Sequence, residues 1–140
     1  MLSLDPWLER LETANLPAPV ELAANLKAAQ ETRRVPGVLL VPGRDRVTHQ
    51  ARIPNPHHKV TTEVMLVTAV KRHGSARMGR GKDHLSELRG PVLTALVHWT
   101  PPGAEIAIRW NGGQLLTLND HALFWADVLA TDYWWKETTP

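Results

Sequence analysis

The stretch from Val60 to Val70 constrains the fold most. Val60, Thr62, Val64, Leu66, Thr68 and Val70 alternate on one face, with Met65 and Val67 on the other. A strand that is apolar on both faces needs cover on both, so this one belongs in the middle of a sheet. Around it the chain offers shorter strand signals. Val38-Leu39-Leu40-Val41 is an apolar run ended by Pro42-Gly43, and Val47 to Ile53 alternates as a possible partner. After residue 104 come Glu105–Trp110, then Gln114–Leu118, then a run from His121 to about Thr131. Asn111-Gly112-Gly113 sits between the first two and reads as a hairpin turn. Asn119-Asp120 separates the second pair.

Helical signals lie at the start and in the middle. Asp5 and Pro6 suit a helix start, and Leu4, Trp7, Leu8 and Leu11 fall on one side, so residues 5–15 read as a helix. A second helix is expected over about 19–32, with Pro19 at its start and a stripe of Leu22, Ala23, Leu26 and Ala29. A third is expected after Asp83 as cap, carrying Leu85, Leu88, Val92 and Leu96, with Pro91 as a kink. Helices and strands are partly segregated. The expected class is α+β, with a mixed, mostly antiparallel sheet and helices packed on one face. At 140 residues the chain is expected to be a single domain, 1–140, with a flexible basic loop at about 73–82.

That loop, within KRHGSARMGRGKDH at 71–84, tests the nucleotide-binding reading. Gly74 and Gly79 have P-loop spacing, but Arg80 and Gly81 follow where Lys and Ser or Thr belong. The hydroxyl for magnesium is missing, and arginine does not reproduce the compact lysine. What remains is a segment with Lys71, Arg72, Arg77, Arg80 and Lys82 and no acid, which suits phosphate or DNA contact or a plain solvated surface loop. Other chemistry is poorly supported. The chain has no cysteine, and His57-His58 are adjacent in a Pro-rich loop with no ligand-spaced partner. Ser3, Ser75 and Ser86 lack a nucleophile-elbow context, and His84 has only Asp83 beside it. No pair of carboxylates stands out for hydrolysis. No enzyme activity, cofactor or metal is expected. Neither a signal peptide after Met1 nor an apolar run of the ~20 residues that span a bilayer is found.

Charge is distributed in blocks. Residues 1–32 carry a net −3, residues 33–82 a net +9 and residues 83–140 a net −4. Such a chain can face a polyanion or meet the acidic part of another copy of itself, head to tail. Six tryptophans add a second clue. Trp7 and Trp99 fit helix faces turned to the core. Trp110, Trp125, Trp134 and Trp135 cluster late with Tyr133, and such a cluster either fills the core or anchors a protein interface.

One pattern covers most of the chain, residues 16–134. Leu88-Arg89, Ala95-Leu96 and Trp99-Thr100-Pro101 lead into a hairpin and a closing strand with Trp125, Asp127 and Tyr133. Upstream stand LPAPVELAANLKAA, the central strand and the Gly-rich loop. This resembles the tail terminator proteins of long-tailed, siphovirus-like bacteriophages. The resemblance implies an α/β subunit of a homo-oligomeric ring, usually a hexamer, that caps the tail tube and stops its polymerisation. It implies the tail tube protein and the head-tail connector as partners, with no membrane. It also implies a virion location at the head-proximal end of the tail after assembly in the host cytoplasm. The expected interface or lumen contacts are Lys71, Arg72, Arg77, Arg80, Lys82, Trp125, Tyr133, Trp134 and Trp135. Two other readings fit the same residues: another phage neck or tail-completion protein, or a DNA-binding protein using residues 33–82.

Overall fold

The computed structural model describes residues 2–50, 56–71, 79–119 and 121–137, with side chains at 80–83 left aside. The elements run α1 (Asp5–Thr13), β1 (Val20–Leu22), α2 (Leu26–Gln30), β2 (Gly37–His49), β3 (His57–Lys71), α3 (Gly79–Leu96), β4 (Arg109–Leu118) and β5 (Ala122–Lys136). The five strands form one mixed sheet in the order β1-β2-β3-β5-β4. β1 and β2 pair in parallel, while β2 with β3, β3 with β5 and β4 with β5 pair antiparallel. The architecture is the α+β class read from the sequence.

β3 is the central strand, as its two-faced apolar pattern requires. Val64, Leu66 and Val70 face one core, where α1 contributes Trp7 and Leu11 and α3 contributes Leu85, Leu88, Val92 and Leu96. Val67 and Ala69 face a second, smaller core with Leu39, Val41, Phe124 and Ala126, closed by Ala29 of α2. The two long helices share one face, and the five-residue α2 lies against the other. Trp7 and Trp99 meet edge to face at 6.5 Å between centroids, on the helix side.

Several boundaries differ from those expected, each for a physical reason. The expected helix over 19–32 is split. Val20–Leu22 instead pairs with Val38–Leu40, adding ladder bonds that outweigh local helix propensity. The helix starts after Asn25, whose side chain accepts from the Ala28 N–H at 2.8 Å. Val38–Val41 and Val47 lie in one long β2, which absorbs Pro42-Gly43 through register shifts along β3. Asn111-Gly112-Gly113 is not a hairpin turn. β4 runs through it, with an extra residue between Trp110 and Gly113 against β5 and Gly112 at φ 97°. The turn is at Asn119, whose side chain accepts from the N–H groups of His121 and Ala122. Asp5 is not a cap, since Leu4 holds that position with no side-chain cap bond. α3 begins at Gly79, four residues before Asp83, and continues through Pro91.

Candidate assembly interface

Beyond Val41, β2 leaves the helix-covered cores, and every residue from Pro42 to His49 is exposed. This half of β2 pairs with the first half of β3, which in turn pairs with the second half of β5. Together they make a three-stranded arm. Trp134 and Trp135 stand near its end, 45% and 46% exposed. Successive residues of a strand point to opposite faces, so the arm carries an indole on each side. Trp134 pairs across the ladder with Lys59, whose ammonium lies 5.9 Å from the ring centroid, and it meets His49 edge to face at 6.4 Å. Trp135 lies 5.3 Å from His58, whose ring contacts the Glu137 carboxylate at 2.9 Å.

The arm is braced by polar bonds at its root. Asp132 is buried and accepts from the Thr61 hydroxyl at 2.7 Å and from Arg109 at 3.3 Å. Lys59 lies 3.6 Å from Glu105 and 3.8 Å from Asp132. Tyr133, also buried, donates its phenolic proton to Asp45 at 2.6 Å, tying β5 to β2 across β3. Burial and the bond to a carboxylate push the Tyr133 hydroxyl up to about 12.

A second polar cluster sits under α3. Asp127 of β5 is fully buried and takes a two-pronged bond from Arg89 of α3, both contacts at 2.8 Å. Trp110 Nε1 donates to the same carboxylate at 3.0 Å. The guanidinium lies between two indoles, 5.3 Å from Trp110 and 5.1 Å from Trp125. Bonding to Asp127 pushes Arg89 above its ordinary value, against the opposing cost of burial. Gly113 permits the cluster, because a Cβ there would collide with Asp127 Oδ1 and Trp125 Nε1. The cluster locks α3 to the β4 edge.

The residues expected from the sequence are therefore not gathered in one patch. Trp134 and Trp135 are exposed on the arm, while Tyr133 and Trp125 lie behind the surface as supports. Lys71 is exposed at the far end of β3. Arg80 and Lys82 lie on the first turn of α3, and Arg72 and Arg77 lie outside the described residues. Sequence reading missed Arg89 and Asp127 as a pair. The signal was present: Asp127 sits between Trp125 and Leu129 on the inward phase of β5, where a carboxylate needs a partner. Among the described residues no three His, Asp or Glu side chains gather as a metal site, and no helix is long and apolar enough to cross a membrane.

A comparison with curated proteins found no match. The family model described as phage tail terminator protein matches residues 1–139, nearly the whole chain. The arm, the two cores and the α3 cluster all fall within the matched span. The chain belongs to the phage tail terminator family and is a structural component of a phage tail.

Proposed function

We propose that copies of this chain close into a ring, a hexamer, on the head-proximal end of the tail tube. There the ring stops tube polymerisation and receives the head connector, and it catalyses no reaction. The observation that carries this reading is the aromatic arm. Two half-exposed tryptophans stand on opposite faces of one braced extension, in a family whose members act by contact with other tail proteins. Apolar area left in water on a rigid support favours burial against a partner, and tryptophan is the commonest anchor of such contacts. Tyr133 and Trp125 shape the contact surface from behind. Lys71, Arg72, Arg77, Arg80 and Lys82 serve as the contacts to a neighbouring subunit or to DNA in the lumen.

Native mass spectrometry of the full chain, alone and with its tail tube protein, tests the ring. A sixfold mass is expected; a monomer under both conditions contradicts it. Replacing Arg77, Arg80 and Lys82 together by Ser is expected to leave the melting temperature unchanged and to lower the yield of joined virions. Normal infectivity of that variant would remove the basic segment from the account.

A further inference from the structure

Backbone pairing between copies is obstructed along β4 and along the free part of β2, and the outermost strand on the β2 side, β1, offers only the three residues Val20–Leu22. β4 has register shifts between Trp110 and Gly113 and between Leu115 and Thr117. The free part of β2 has shifts at Pro42/Asp45 and Val47/His49, and Pro42 has no N–H to give. Bulges and proline are devices that stop edges from pairing. These features favour contact between copies through side chains.

Among the described residues one side-chain match stands out. A cleft of about 530 Å³ lies between the start of α1 and the root of the arm. Its apolar wall includes Leu2, Leu4, Leu22, Pro42 and Val64, and Leu22 is 45% exposed within it. Asp5, Asp45 and Glu63 line it, with no Lys or Arg among the lining residues. Asp45 is bonded to Tyr133 and Glu63 to Arg44 at 2.8 Å, while Asp5 is exposed. On the arm, Arg46 pairs across the ladder with Thr61, and Thr61 with Asp132, which puts Arg46 on the Trp134 face with Lys59 and His49. That face combines an indole with Arg46 and with Lys59, the latter already near Glu105 and Asp132, so Arg46 is its charge for a neighbour; the cleft combines an apolar wall with carboxylates, of which Asp5 is exposed. A pocket of this volume is ample for an indole and its neighbours.

We propose that the Trp134 face of one copy seats in the Leu22–Pro42 cleft of the next copy. Knob and cleft occupy different parts of one chain, so the contact is head to tail, the kind that closes rings. The inference rests on the ring reading above and names the surface through which the ring would close.

The chain has no cysteine, so single sulfhydryls can be introduced cleanly. Ser3→Cys marks the cleft, and Lys136→Cys marks the Trp134 face two residues along β5. A mixture of the two full-length variants, treated with a short bismaleimide, is expected to give covalent dimers, and the double variant a ladder. Adding Trp134→Ala to both is expected to abolish the cross-link and weaken self-association about thirtyfold, with the fold intact. Arg46→Glu is expected to weaken assembly, and Asp5→Arg in the same chain to restore it. Rings that form without the Ser3–Lys136 cross-link, or that ignore Trp134→Ala, overturn this inference and leave the ring reading standing. A chain that stays monomeric even with its tube protein overturns both.

Discussion

Asp127 is a carboxylate with no exposure to water, held by Arg89 and Trp110. Removing one member of such a pair strands the other. Arg89→Ala is expected to destabilise the chain by roughly 3 kcal/mol or more, read by urea denaturation. A loss under about 0.5 kcal/mol, the scale of an ordinary surface change, would mean water already solvates the pair. Tyr133 offers a cleaner probe, because it is the chain's only tyrosine. Its proton is held for Asp45, so its folded value of about 12 lies above the ordinary ~10. A raised value stabilises the fold below about pH 10, and that stability is lost as pH rises toward about 12. Ultraviolet titration of tyrosinate should show this late ionisation, and Tyr133→Phe should remove that step from the stability profile. Titration at the ordinary value would contradict the Asp45 bond. At this scale the sequence was least legible. Residue type announced Trp134 and Trp135 as candidates, yet it did not separate them from Trp125 and Tyr133, which share the cluster but are turned inward. That difference arises from position along β5: Trp135 shares its strand phase with Trp125 and Tyr133 but lies beyond the cores, where β2 and β3 extend without cover.

Among the elements, those with a strong period were legible and those decided by long-range pairing were not. The two-faced pattern of β3 and the three-to-four spacing of Leu85, Leu88, Val92 and Leu96 led directly to the central strand and α3. β1 escaped because its three residues gain their state from β2. Asn111-Gly112 carries the local chemistry of a turn, but pairing with β5 on both sides turned it into a bulge. α2 is short enough to depend on its cap. Asn25→Ala is expected to cost about 1 kcal/mol in chemical denaturation, with Asn25→Asp close to the native value. Equal stability of all three would show that packing of Ala29 and Leu26 alone holds the helix. The arm makes the opposite prediction. Trp134→Ala is expected to change folding stability by less than about 1 kcal/mol, because the indole is half in water already. A larger loss would assign Trp134 to the fold and away from a partner.

For the whole molecule, composition and charge excluded more than they identified. With no cysteine, and with Arg80-Gly81 in place of the P-loop lysine and hydroxyl, the sequence offered no catalytic motif, and the alternating charge blocks were compatible with a neighbour or a polyanion. Family membership settles the phage-tail setting, and the match extends over residues 1–139. The central claim is that this chain ends tube growth. The most direct measurement is the length distribution of tails assembled with and without it, taken from negative-stain images. Uniform tails with the chain and overlong, variable tubes without it are expected. The same distribution in both preparations would contradict the account.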